Sequence, residues 1–123
     1  MKFQPDRFAT QSITGYGPGW LAVDGEKTSA SIVLSSRGQR FDWQCRRFED
    51  LGSAHFAQLA ELGAEVVIFG SGQRLRFAPP QWLAPLMRQR IGVESMDTPA
   101  ACRTYNILAG EGRHVVAALL LEA

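Results

Sequence analysis

The chain lacks the features that mark several large classes of protein. Its longest apolar run, residues 115–121, is far shorter than the ~20 residues that a membrane-spanning helix needs. Its 13 basic and 12 acidic residues leave a net charge of +1, without the basic block that is typical of nucleic-acid-binding proteins. The amino terminus, MKFQPDRF, contains no apolar stretch for a signal peptide. We therefore expect a cytoplasmic protein with no membrane insertion and no nucleic-acid partner.

Cysteine and histidine are scarce, which removes the commonest metal and thiol sites. Cys45 and Cys102 have no CxxC spacing, and we expect both to be reduced. His55 and His114 have no partner at metal-ligand or triad spacing. We therefore name no catalytic residue, no metal site and no cofactor.

Length and hydrophobic periodicity predict the fold. With 123 residues, 46% of them hydrophobic, residues 1–123 fit a single domain. After an arm or edge strand over residues 1–11, short strands and turns alternate, with a hairpin signal at Asp24-Gly25. The remainder alternates helix and strand. We predict an α/β fold, a single layered domain with a mixed central sheet covered by about three helices and an N-terminal β-meander extension.

The predicted elements have definite positions. Meander strands are expected at residues 20–23, 29–35 and 41–44, and later strands at 65–69, 73–77, 93–96 and 113–121. The first helix is expected at 53–62 with Ser53 as N-cap, and the third at 98–109 with Thr98 as N-cap and Pro99 as the first helical residue. The second is expected to begin near Trp82, or in a preliminary turn at 79–81, and to end at Gly92.

The central stretch is residues 65–82, EVVIFGSGQRLRFAPPQW, in which a buried strand runs into Gly70-Ser71-Gly72. In helix-covered sheets the loop that leaves the carboxyl end of such a strand often forms a site. This loop lacks the third glycine of a dinucleotide fingerprint, the lysine of a P-loop and the flanking glycines of a nucleophile elbow. The two glycines therefore serve either a sharp turn or a ligand, and both alternatives stay open.

A crevice is expected at this loop if strand 93–96 lies beside strand 65–69, because the third helix would then start at the same edge. Arginine side chains that converge there would bind an anion, and an amide inside the third helix needs a hydrogen-bond partner. The candidate ligand-binding residues are Gly70, Ser71, Gly72, Gln73, Arg74, Thr98, Arg103 and Asn106.

Aromatic residues are numerous, with three tryptophans and seven phenylalanines. Trp20 lies next to a glycine turn and Trp82 beside a proline pair. We name both as candidates for contact with a partner, with core packing as the alternative.

Several blocks resemble one known family over nearly the whole chain. They are ITGYGPGWLAVDG, SIVLSS with Trp43, EVVIFGSGQRLRF before a proline and a helix, and GVESMDTPAACRTYNILAGEGRHVVAALL. They are similar to a family of small single-domain proteins of unassigned function, which includes the mitochondrial complex I (NADH dehydrogenase) assembly factor three and an adipogenesis-associated mammalian protein. The resemblance implies a layered α/β fold, a protein-interaction role and no established catalytic residues.

Two functions follow as hypotheses. The first is a non-enzymatic interaction or assembly module with a protein partner. The alternative is an anionic-ligand binder or enzyme that uses the crevice at residues 70–74. A homodimer without a ligand is a third, structural alternative.

Overall fold

The computed structural model describes residues 10–122, so most of the predicted amino-terminal arm (residues 1–11) lies outside the described residues. The described part contains two sheets and three α-helices. The elements are β1 (Ile13–Gly17), β2 (Trp20–Val23), β3 (Glu26–Thr28), β4 (Ile32–Ser35), β5 (Arg40–Asp42), a 3-10 turn (Phe48–Asp50), α1 (Ser53–Ala60), β6 (Val66–Gly70), α2 (Pro80–Arg88), β7 (Gly92–Met96), α3 (Thr98–Gly110) and β8 (Val115–Leu119).

The larger sheet has five strands in the order β5-β4-β8-β6-β7. Strand β6 lies inside it and pairs in parallel with β7 on one side and β8 on the other. Strand β4 pairs antiparallel with β8 and β5, so the sheet is mixed. All five residues of β6 are buried, as its apolar sequence predicts.

Each face of this sheet carries its own hydrophobic core. Val67 and Phe69 point to the face that α1 and α2 cover, where they pack with Trp43, Phe56 and Leu86. The opposite face packs against α3 and the amino-terminal strands, and its buried residues include Leu21, Leu34, Ile68, Cys102 and Tyr105. The predicted layered α/β fold with helix-covered mixed sheet is confirmed.

The early strands are divided between two sheets. Strands β1, β2 and β3 form a separate antiparallel sheet, with the predicted turn at Asp24 (φ 49°) and Gly25 (φ 88°). The strands predicted at 29–35 and 41–44 correspond to β4 and β5, which join the central sheet instead of extending the meander. Strand β3, a charged edge strand, is absent from the prediction because it has no apolar alternation to reveal it.

Several local predictions differ from the structure. Helix α2 begins at Pro80 and ends at Arg88, and Gly92, where its end was predicted, is the first residue of β7. The N-cap of α1 is Gly52, and Ser53 is its first residue. The N-cap of α3 is Asp97, whose carboxylate accepts from the Ala100 N–H, so Thr98 stands inside the helix. Residues 73–77 form a loop and not a strand. None of the helices within residues 10–122 is long and apolar enough to cross a membrane.

Candidate functional site

The glycine loop after β6 and the start of α3 meet at one edge of the sheet. The parallel pairing of β6 with β7 brings them together, as Gly70 lies opposite Met96. Two reciprocal hydrogen bonds then join the loops: the Gly72 N–H donates to Thr98 Oγ1 (2.9 Å), and the Thr98 N–H donates to the Gly72 carbonyl (2.8 Å). The structure therefore brings together the two walls of the crevice that the sequence predicts.

The polar groups of this crevice are bonded to one another. The Thr98 hydroxyl donates to the Leu120 carbonyl at 2.8 Å, and the Leu120 N–H donates to the Gly70 carbonyl at 2.9 Å. A Cβ atom on Gly70 would lie 3.0–3.1 Å from Thr98, Ala101 and Leu119. Gly70 is thus required by close packing, and the space beside it is filled by protein.

Ser71 is fully buried and stabilises the loop from inside through its hydrogen bonds. Its hydroxyl donates to the Arg74 carbonyl (2.7 Å) and accepts from the Arg76 N–H (2.9 Å). Its own N–H donates to the Met96 carbonyl at 2.9 Å. These bonds close a compact turn around the serine, since one small hydroxyl satisfies backbone groups on both sides of residue 75.

Arg76 and Glu122 form an ion pair at the base of the loop. Arg76 Nη2 lies 2.7 Å from Glu122 Oε1 and 2.7 Å from the Ser71 carbonyl oxygen. The guanidinium also stacks 4.7 Å above the Phe48 ring. Burial favours a raised pKa for Glu122, but hydrogen bonds from Arg76 and the Phe48 N–H together lower the pKa below its ordinary value. No sequence pattern indicates this pair, since its members lie 46 residues apart.

The remaining candidate residues do not converge on this crevice. Gln73 and Arg74 are exposed on the loop. Arg103 donates to the Tyr16 hydroxyl at 2.8 Å on the outer side of α3. Asn106 binds β1, because its Oδ1 accepts from the Ile13 N–H (2.9 Å) and its Nδ2 donates to the Ile13 carbonyl (2.8 Å). The amide thus fixes the small sheet to α3.

The two candidate partner-contact tryptophans are both half-buried. Trp20 covers Gly17 and carries Lys27 Nζ 4.4 Å from its ring centroid. Trp82 packs against the tilted Phe48 ring and stacks on Phe56, with ring centroids 5.3 and 5.9 Å away. Both side chains therefore have a packing role and also retain an accessible edge.

No reactive cysteine arises in the described structure. Both cysteines are free and buried. Burial raises the pKa of Cys45 to about 11 and that of Cys102 to about 12, so each thiol is protonated at neutral pH. Within residues 10–122 no three histidine, cysteine, aspartate or glutamate side chains are grouped to hold a metal ion.

Two surface depressions in the described part of the chain lie away from the glycine loop. One of about 480 Å³ lies beside α1 and is lined by residues including His55, Gln58 and Glu61. The His55 ring is hydrogen-bonded to the Gln44 carbonyl oxygen (2.9 Å) and packs edge-on against Trp43. A second depression, of about 420 Å³, lies beside Cys45 and Ser31. Neither combines a nucleophile with a base at bonding distance.

Comparisons with known proteins find relatives across the described fold. The pattern of a family described as "Protein of unknown function (DUF498/DUF598)" matches residues 13–120. The human NADH dehydrogenase [ubiquinone] 1 alpha subcomplex assembly factor 3 is 36% identical over 110 residues, which are 88% of this chain and 59% of the human protein. The zebrafish (Danio rerio) protein of the same name is 40% identical over 119 residues, 95% of this chain and 68% of its own length.

A solved structure agrees with the fold. The crystal structure of a Bordetella parapertussis protein is 38% identical and superposes with a TM-score of 0.87, covering 92% of this chain and 97% of that protein. The chain spans 59% of the length of the human relative and also of the bovine relative. These matches confirm the family resemblance that the sequence blocks indicate.

Proposed function

From the chain's membership of the DUF498/DUF598 family, we propose that it is a non-enzymatic interaction module that assists assembly of a respiratory NADH dehydrogenase. The observation that carries the proposal is the likeness, over 88–95% of this chain, to vertebrate proteins named as assembly factors of that enzyme. A protein partner and a cytoplasmic location are parts of this proposal.

The internal geometry of the crevice supports an interaction role over catalysis. The polar groups of the crevice form hydrogen bonds within the protein, namely the hydroxyls of Thr98 and Ser71 and the backbone of Gly72. A ligand site normally presents a few polar groups that converge on open space. The alternative, an anion bound at residues 70–74, would require these bonds to be exchanged for bonds to the ligand.

The half-buried tryptophans are the surfaces we propose for contact with the protein partner. An aromatic side chain that is fixed by packing loses little entropy when its exposed edge is covered. Trp20 is the more suitable for a test, because it belongs to the small sheet and not to the central aromatic core.

Affinity capture of the tagged chain from its native extract tests the proposal. We expect subunits or partly assembled forms of the respiratory NADH dehydrogenase among the captured proteins. Recovery of no such subunit above the background of an untagged extract would contradict the proposal.

A matched pair of variants tests whether the captured proteins bind at Trp20. Trp20→Ala is expected to reduce the recovered subunits several-fold, while Ile107→Ala, which alters a 60% exposed side chain on α3, is expected to leave recovery unchanged. Thermal unfolding of both variants checks that each is folded. Equal recovery with both variants would remove Trp20 from the interface.

A further inference from the structure

Residues 73–77, called here the apolar loop, present two large apolar side chains to solvent. Leu75 is 49% exposed and Phe77 is 70% exposed. Single exposed apolar residues are ordinary, but two on one short loop form a patch with affinity for another apolar phase.

The apolar loop is held in this presentation by bonds on both sides of Leu75. Ser71 Oγ binds the backbone of Arg74 and of Arg76, and the Arg76 side chain is fixed by the Ser71 carbonyl and Glu122. Because the backbone is already ordered, contact with another surface costs little further conformational entropy.

The sequence that flanks the apolar loop carries charge of one sign, and the one carboxylate paired with the loop, Glu122, is bonded to Arg76. Residues 66–93 contain four arginines and no acidic residue, although the whole chain has a net charge of only +1. Arg74 lies on the loop, and Arg88 and Arg90 follow at the end of α2, where all three are exposed. Met87, 63% exposed, adds an apolar side chain to the same helix. Exposed apolar groups among arginines are typical of segments that lie in a membrane interface.

The shape of the apolar loop also favours a binding partner whose surface can deform. Four depressions among residues 10–122 lie beside α1, beside Cys45, between β3 and β5 and beside the end of α3, and other residues line them. Leu75 and Phe77 project from the protein and do not border any of these hollows. A projecting apolar tip fits the interface of a bilayer, which can close around it.

We propose that the apolar loop docks this protein onto an anionic lipid surface. Leu75 and Phe77 enter the boundary between headgroups and acyl chains, and Arg74 contacts lipid phosphate. Arg88 at the end of α2 and Arg90 just after it add a longer-range attraction. This proposal stands independently of the assembly role, since it concerns the surface on which the protein lies.

Flotation with two kinds of vesicle tests the proposal: phosphatidylcholine alone, and phosphatidylcholine mixed with phosphatidylglycerol. We expect the protein to float with the anionic vesicles, to bind the neutral vesicles much more weakly, and to be released as salt is raised. Absence of binding to the anionic vesicles would overturn the proposal. Equal binding to both vesicles would overturn the role of the arginines.

Substitutions assign the contact to the apolar loop. Phe77→Ser should lower the partition coefficient about tenfold, and Arg74→Gln about fivefold. The controls are Ile107→Ser on α3 and Arg37→Gln, which lies in the turn after β4 at the opposite edge of the sheet. Thermal unfolding checks that all four variants fold. If Phe77→Ser floats as well as the Ile107→Ser control, the proposal fails.

Discussion

Gly72 and Thr98 are joined by two reciprocal hydrogen bonds. The Gly72 N–H donates to Thr98 Oγ1 (2.9 Å), and the Thr98 N–H donates to the Gly72 carbonyl (2.8 Å). This contact links the exit of a fully buried strand, β6, to the start of α3, the longest helix among residues 10–122. It also occupies the groups that a ligand at the glycine loop would need. These polar groups of the predicted crevice are therefore bonded to one another.

Removing the Thr98 hydroxyl should destabilise the fold. Thr98→Val keeps the shape of the side chain but leaves the Gly72 N–H and the Leu120 carbonyl without their partner. We expect a loss of about 2 kcal/mol in the free energy of unfolding, measured by urea denaturation. Thr98→Ser retains the hydroxyl and should cost less than about 1 kcal/mol. Equal losses for the two variants would contradict the assigned hydrogen bonds.

Gly72 should be sensitive to any side chain for two separate reasons. Its φ is +102°, and an added Cβ would collide with Glu122 and approach Arg76 Nη2 to 2.9 Å. Gly38 has a similar φ of +99° with nothing within 4 Å of an added Cβ, so Gly38→Ala isolates the backbone strain.

We expect Gly38→Ala to cost about 1 kcal/mol and Gly72→Ala at least about 2 kcal/mol, because only the second disturbs the ion pair. The free energy of unfolding in urea measures both. If Gly72→Ala proved as stable as Gly38→Ala, the Arg76–Glu122 pair would be able to move aside without any loss of stability.

Glu122 should make stability depend on pH. Its folded-state pKa lies below the ordinary 4.5, since the bonds from Arg76 and Phe48 outweigh the effect of burial. The carboxylate therefore stabilises the fold above pH 4.5, and this contribution is lost as the pH falls through the folded-state pKa. We expect wild type to exceed Glu122→Gln in stability at neutral pH and this difference to shrink in acid. A difference that is constant with pH would refute the ion pair.

Asn106 should control the attachment of the small sheet. Asn106→Ala removes both hydrogen bonds to Ile13, and because the amide is partly exposed, water replaces part of the loss. We expect the free energy of unfolding to fall by about 1 kcal/mol. Relative to wild type, amide hydrogen exchange should become faster in β1 and change less in β6. Ile107→Ala, at the next position of α3, serves as control. Unchanged exchange in β1 would contradict this role.

Simple anions should not bind at the glycine loop. Phosphate, nucleotides and carboxylates are expected to leave the thermal midpoint unchanged in a thermal-shift screen, because the donors of the loop are already bonded. A compound present at 100 times its dissociation constant would add about 2.7 kcal/mol. A hit that disappears with Gly72→Val would instead restore the ligand-binding alternative.

The sequence predicts the elements well where the pattern is local. The continuous apolar run at Val66–Gly70 required a strand covered on both faces, and the structure has that strand inside the central sheet. Pro99 marked the start of α3 to within one residue, but adjacent Asp97 and Thr98 are both good caps. Only the structure shows that Asp97 caps and that Thr98 is bound to Gly72.

The errors arise where distant residues decide the local structure. Residues 73–77 alternate like a strand, yet Ser71 and Glu122 hold them as a loop through bonds to Arg76. The alternation in β4 and β5 predicted strands but placed them in the amino-terminal meander. In the structure β4 is buried on both faces and pairs with β8, and β5 pairs with β4 at the edge of the central sheet. The ion pair at Glu122 joins segments that no sequence spacing relates.

Deletion of the gene in its source organism, followed by native-gel measurement of assembled respiratory NADH dehydrogenase, tests the assembly role most directly. The proposal predicts that the assembled enzyme falls, that partly assembled forms accumulate, and that a wild-type copy of this chain restores the normal level. An unchanged amount of assembled enzyme in the deletion strain would contradict the proposal.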